Sequence, residues 1–195
     1  MRLHGGMNRN HQRLCPSPEW AAQLQGKVLP RLCGTVELGD RLLEIGPGPG
    51  AATDWLRHRV GSLTAIEIDP EAADKLRERF AGGNVEVVTG DATRLPWPDG
   101  SFDTVASFTM LHHVPTQRGQ NTILAEALRV LRPGGVLVAS DSLPGTALHD
   151  FHADDTFNPI DPAGLIARLQ TIGYGRLTVE VSDRWTVQAF KPADE

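Results

Sequence analysis

The chain has 195 residues, 40% of them hydrophobic, enough for one globular domain with a sizeable core. A net charge of −5 and an isoelectric point near 5.8 provide no basic footprint for nucleic acid. No apolar run approaches the ~18 residues that span a bilayer, no leader with a charged and then an apolar region opens the chain, and two cysteines, Cys15 and Cys33, argue against a disulfide framework. A cytoplasmic protein with reduced thiols is expected, with no nucleic-acid or membrane partner. Met7 offers a second start, which would make residues 1–6 an upstream extension.

Ser17-Pro18-Glu19 reads as a helix start, with a capping hydroxyl, proline at the first helical position and an acid in the first turn. Trp20, Leu24, Val28 and Leu32 recur every four residues and give one apolar face. Pro30 is expected to kink or end this helix and Gly34 to close it. Residues 1–40 are therefore read as an N-terminal extension with a lid helix, and 41–195 as one domain.

From Arg41 strands and helices alternate. The expected order is strand 42–46, helix 51–59, strand 62–68, a helix capped by Asp69-Pro70-Glu71 and running to Phe80, and strand 84–89. Strand 102–108 and helix 118–131 follow, then a sharp turn at Arg132-Pro133-Gly134-Gly135 into strand 136–141. A loose segment, 142–161, leads to a helix over 161–172 and two final strands, 175–182 and 185–191. Alternation of this kind specifies parallel pairing with right-handed crossovers. The last two strands share too short a link for anything but an antiparallel hairpin. The fold class expected is α/β: a doubly wound, mostly parallel seven-stranded sheet with an antiparallel C-terminal hairpin.

Glu44-Ile45-Gly46-Pro47-Gly48-Pro49-Gly50 places a glycine-rich turn at the carboxyl end of the first strand, where ligands bind in such sheets. Pro47 and Pro49 have no N–H, and Glu44 adds a carboxylate. A pyrophosphate wants the opposite on both counts, whereas a cation suits both. S-adenosylmethionine, with its sulfonium and ammonium groups, fits this turn better than NAD. Glu67 near the end of the second strand and Asp91 after the third would converge on the same crevice. Glu67 lies 21 residues beyond Gly46, the spacing at which an acid meets a ribose diol, and Asp91 is placed to accept from an exocyclic amine. Asp69, just before Pro70, is the better helix cap.

These motifs, in order, resemble the class I S-adenosylmethionine-dependent methyltransferases, of the small-molecule type 11 kind. Ile66-Glu67-Ile68-Asp69, Gly90-Asp91-Ala92, Phe102 through Val114, and Leu131 through Gly135 complete the likeness over residues 41 to 141. The resemblance implies that Gly46, Pro47, Gly48 and Gly50 pass under the methionine and ribose parts, with Glu44 near the ammonium and sulfonium. Glu67 would hold the ribose hydroxyls, Ile68 would pack on adenine, and Asp91 and Ala92 would bond its amino group and ring. Ser107 and Phe108 would meet the methionine part through the backbone.

His112 and His113 follow the fourth strand, where the methyl group should project, and either imidazole can take a proton near neutral pH. His113 is preferred because the family more often has histidine there; a positioning role is favoured over general base. The Asn-Pro-Pro-Tyr sequence used on planar amines is replaced by Ser107-Phe108-Thr109-Met110, so a small-molecule acceptor is expected. His149, Asp150, His152, Asp154 and Asp155 fall in a loop and are read as lining the substrate entrance, with no metal site. Trp55, Trp97 and Trp185 lack the spacing of a stacking platform. A monomer or homodimer is expected. A nicotinamide oxidoreductase and a cofactor-binding module without transfer are the competing functions.

Overall fold

In the computed structural model, residues 17–145 and 156–194 are described. Cys15, Met7 and the His149–Asp155 cluster lie outside them. Seven strands form one sheet in the order β3-β2-β1-β4-β5-β7-β6. They are β1 (Arg41–Ile45), β2 (Ser62–Glu67), β3 (Val85–Thr89), β4 (Phe102–Phe108), β5 (Leu131–Ser142), β6 (Leu177–Val181) and β7 (Arg184–Phe190). β1 to β5 pair in parallel, and β7 runs antiparallel to both β5 and β6. The doubly wound sheet with a terminal hairpin is therefore as expected.

β1 is the middle one of the five parallel strands, and its Leu42, Leu43 and Ile45 are buried, as in a strand covered on both faces. One face carries Leu42, Ala106 and Val138 against the N-terminal helices, α3 (Ala51–Leu56) and α4 (Pro70–Arg79). The other carries Leu43, Val105 and Trp185 against α5 (Gln117–Val130) and α6 (Pro162–Ile172). Among the described residues no helix is long and apolar enough to cross a membrane.

Three local readings change. The N-terminal segment consists of α1 (Pro18–Gln23), a π-turn at Leu24–Val28 and α2 (Leu29–Cys33), so Pro30 does not end it. The N–H of Leu29 bonds the Leu24 carbonyl five residues back, which shifts the register just ahead of the proline. Pro30 then takes an early position in α2, where no N–H is required. Leu29, Leu32 and Cys33 sink into the core, and burial pushes the Cys33 thiol up to about 12, which leaves it inert.

α3 stops at Leu56 rather than 59. The Asn84 side chain donates to the carbonyls of Arg57, Val60 and Gly61 at 2.8, 3.0 and 3.3 Å, satisfying them outside a helix. β5 begins at Leu131 and runs through Pro133-Gly134-Gly135 instead of starting after it. Phe102 pairs with Leu131 and Thr104 with Val136, so Arg132–Gly135 bulge opposite Asp103 alone.

Asp103 is the pin at that end of the sheet. It accepts from the Asp40 and Arg41 N–H groups at 3.0 and 2.8 Å and from Arg132 Nε at 2.6 Å. Partial burial works to raise its pKa, but the Arg41 N–H and the Arg132 guanidinium outweigh that and hold the carboxyl below its ordinary range. A depressed acid contributes stability above its unfolded pKa of about 4 and loses it as the pH falls towards the folded value. Replacing Asp103 with Ala is expected to lower unfolding stability by about 2 kcal/mol at pH 7, and by much less at pH 3, in denaturant titrations.

Candidate active site

A cleft of about 540 Å³ opens at the carboxyl ends of β1, β2 and β4, within the range of small-molecule sites. Glu44, Gly46, Pro47 and Gly48 form its floor. Glu67 and Ile68 follow from β2, Asp91 and Ala92 from the loop after β3, and Phe108 and His113 from β4 and the turn beyond it. Gly50, Ser107 and His112 do not line it.

The glycine turn is shaped by what it must pass. Gly46 has φ +67°, and a Cβ there would lie 2.3 Å from Met110 Cγ. Gly50, at φ +86°, caps α3, and a Cβ would crowd Phe80 and Leu76 at 2.9–3.0 Å. Gly50 therefore acts through the packing of α3 on α4, away from the cleft. Ser107 is buried, and among the described residues its hydroxyl has no hydrogen-bond partner.

Glu44 is 2% exposed and accepts one side-chain hydrogen bond, from Thr53 Oγ1 at 2.7 Å. Burial pushes its carboxyl up to about 7; Thr53 opposes that rise, and the neighbouring Glu67 and Asp54 add to it. Glu67 is raised as well, first by burial, against N–H groups of Asp69, Ile68 and Gly48. The two acids after β2 divide their work. Asp69 Oδ1 accepts from the Glu71 and Ala72 N–H groups at 2.8 and 3.1 Å and caps α4, while Glu67 Oε1 accepts the Asp69 N–H at 3.1 Å. Asp91 is exposed and takes the Thr93 N–H and hydroxyl on Oδ1, both at 2.8 Å, which fixes its carboxylate in an Asx turn.

The histidine pair is split by a 3₁₀ turn at Leu111–His113. His112 is 1% exposed, with Nδ1 2.5 Å from Asp141 Oδ1 and its N–H donated to Oδ2 at 3.0 Å. His113 reaches the cleft, and its ring lies 4.1 Å from that of His112. Asp141, an acid at the carboxyl end of β5, follows the placement that pointed to Glu67, yet an apolar strand hides it in the sequence. Trp20 and Leu24 come from the N-terminal helices, and Met110, Val114 and Ile123 complete an apolar wall that only three-dimensional packing reveals. Thr109, also in the wall, is β-branched at φ +55°, a strained conformation for such a residue.

Among the described residues, the charged side chains of the wall are the carboxylates of Glu44, Glu67, Asp69 and Asp91, with no lysine or arginine. Residues 43–139, about half of the chain, match the methyltransferase-domain family model. The chain belongs to the class I S-adenosylmethionine-dependent methyltransferases. The fatty-acid O-methyltransferase of Mycolicibacterium smegmatis is 34% identical over 108 residues, which are 54% of this chain and 38% of that protein. The 27-O-demethylrifamycin SV methyltransferase of Amycolatopsis mediterranei is 37% identical over 124 residues, 60% of this chain and 44% of that one. The chain thus spans less than half the length of either relative. A solved protein of Pyrococcus horikoshii OT3 shares the fold, with a TM-score of 0.77 over 91% of this chain and 93% of that one, at 18% identity.

The methyltransferase cleft fits the family's cofactor on its own chemistry. A buried carboxyl whose pKa burial raises to about 7, with further acids nearby and no lysine or arginine among the described lining residues, is complementary to an ammonium and a sulfonium and hostile to a pyrophosphate. The pH dependence follows. Because the folded pKa of Glu44 is raised, its contribution to the stability of the ligand-free protein is greatest below about pH 4.5 and is lost as the pH rises through about 7. A cation reverses that preference. Titration calorimetry is expected to show S-adenosylmethionine affinity rising between pH 5.5 and 7.5, by up to about tenfold per pH unit, with the slope absent in Glu44→Gln.

Proposed function

We propose that this chain moves a methyl group from S-adenosylmethionine to a small-molecule acceptor. The observation that carries the reading is the acid-only charged wall built around buried Glu44. The cofactor supplies an activated methyl group on a sulfonium. Glu44 would meet its cationic end, Glu67 its ribose diol, and Asp91 with the Ala92 N–H its base, with Ile68 packing on that base. Ile68 is 41% exposed at the rim, an apolar surface that a flat ring would cover.

With an activated donor, the protein's main contribution is alignment, and proximity alone supplies about 7–11 kcal/mol. His113 is the imidazole of the wall on the described residues, next to apolar Met110 and Val114. It would orient the nucleophile of an acceptor whose body rests on that apolar surface. His112, clamped by Asp141, would hold His113 from behind. The relatives that act on a fatty acid and on a rifamycin support an acceptor of small-molecule size with extensive apolar surface.

Calorimetry with S-adenosylhomocysteine and with NAD is the first test: saturable binding of the former alone is expected, and tight NAD binding without a response to the former would sink the proposal. An acceptor screen read by S-adenosylhomocysteine release then separates transfer from binding alone. With an acceptor in hand, His113→Ala is expected to raise the acceptor KM and leave the pH profile shallow. A fall in kcat of ~10²-fold with a steep acid limb in the wild type would instead make His113 the base.

A further inference from the structure

We infer that Arg184, on the C-terminal hairpin, is a positioning residue that seats Trp20 in the cleft wall and thereby sets how long the cofactor is held. This rests on the reading of the cleft as a cofactor site. Trp20 lines the cleft from α1, a helix of six residues without one that is fully buried. α1 is the opening stretch of one unbroken helical run, 18–33, whose buried residues, Leu24, Val28, Leu29, Leu32 and Cys33, all lie after α1. Its attachments are therefore decisive.

Two of them precede and follow Trp20 along the chain. Ser17 Oγ caps α1 by accepting the Trp20 N–H at 3.2 Å, and Gln25 Nε2 donates to the Ala51 carbonyl at 2.8 Å. Neither restrains the indole. Among the described residues, Arg184 lies over the indole, its Cζ 5.4 Å from the ring centroid. Its side chain is 11% exposed, and its buried Nε has no hydrogen-bond partner within 3.5 Å among the described residues. The carboxylate beside it, Asp183, is largely exposed and 3.7 Å from Nε. A guanidinium on a side chain so little exposed gains more from an aromatic face than a fully solvated one does.

Arg184 is the partner built into the sheet. It opens β7 opposite Ser142 of β5, and the next residue, Trp185, is fully buried on the other face. The same hairpin grips the chain after the π-turn: Gln188 Nε2 donates to the Leu32 carbonyl at 2.7 Å and to Thr35 Oγ1 at 2.6 Å, and Glu180 pairs with Arg31 at 2.8 Å. α2 is thus fixed, the π-turn lies between, and Arg184 decides where Trp20 rests.

The test is S-adenosylhomocysteine binding by calorimetry, with dissociation by stopped flow, on the full chain. Wild type, Arg184→Met, Arg184→Lys, Trp20→Ala and the Arg184→Met/Trp20→Ala double variant are compared. Arg184→Met and Trp20→Ala are each expected to weaken binding by about 5–30-fold through faster dissociation, the factor for a partly buried cation–aromatic contact. Arg184→Lys should retain most of the affinity, and the double variant should bind no worse than Trp20→Ala. A merely structural arginine would lower the melting temperature and combine multiplicatively with Trp20→Ala. That result, or wild-type affinity in Arg184→Met, overturns the inference. Arg184→Gln takes the place of Arg184→Met if the latter does not fold. Wild-type protein that ignores S-adenosylhomocysteine overturns the cofactor reading itself, and this inference with it.

Discussion

The turn at the top of β1 is the constraint on which the site depends. At Gly46 the chain leaves the sheet in a left-handed conformation, and Met110 fills the space where a side chain would have been. At Gly50 the same device lets α3 settle on Phe80 and Leu76. Any Cβ at Gly46 would collide with Met110 just beyond β4, and both residues line the cleft. Thr109 carries the complementary strain. Its backbone is held at φ +55° by an N–H donated to the Ser140 carbonyl at 2.8 Å, and this brings Met110 back over Gly46. Strain of this sort persists only where surrounding structure over-determines it.

Upon that frame sits an electrostatic imbalance. Away from the cleft several acids are matched by arginines: Asp103 by Arg132, Glu126 by Arg129, Asp54 by Arg79. In the cleft they are not. Glu44 has a single hydroxyl donor, and burial together with Glu67 makes its ionised form unfavourable. A folded protein carrying that charge without compensation is less stable than it would be with glutamine there, so the arrangement makes sense as ground-state preparation for a cationic ligand rather than as structure.

Much of this was legible because both signals are local. The alternation of strands and helices from Arg41 onward, and the short link before Arg184, were sufficient for the sheet and its terminal hairpin. Glu44, Glu67 and Asp91 were found because carboxyl ends of parallel strands converge. The misreadings were of boundaries settled by distant partners. Nothing around Pro30 announces a π-turn, Asn84 is far in sequence from the carbonyls that end α3, and Pro133-Gly134-Gly135 looks like a turn until Asp103 is seen to anchor it as a bulge. The apolar wall was hidden for a different reason. Trp20, Leu24 and Ile123 carry the periodicity of core-facing helix residues, and periodicity cannot distinguish a core from a cleft.

The histidine pair shows how positional precision is obtained in a turn. Asp141 uses both oxygens on His112, and the Asn158 N–H donates to the His112 carbonyl at 2.7 Å while its amide donates to that of Val114 at 2.9 Å. Gln120 joins the Leu111 and Asn158 carbonyls at 3.1 and 2.7 Å, and Arg168 in turn donates to Gln120 Oε1 at 3.0 Å. The turn presenting His113 is thus tied to β5, α5, α6 and the segment before α6. Misalignment of about 1 Å costs on the order of 10²-fold in a proximity-driven reaction. A donor that is already activated leaves little else for a protein to supply. The turn that presents His113 is therefore held by hydrogen bonds from four elements, and it leaves His112 buried against Asp141 while His113 lies in the cleft wall, their rings 4.1 Å apart.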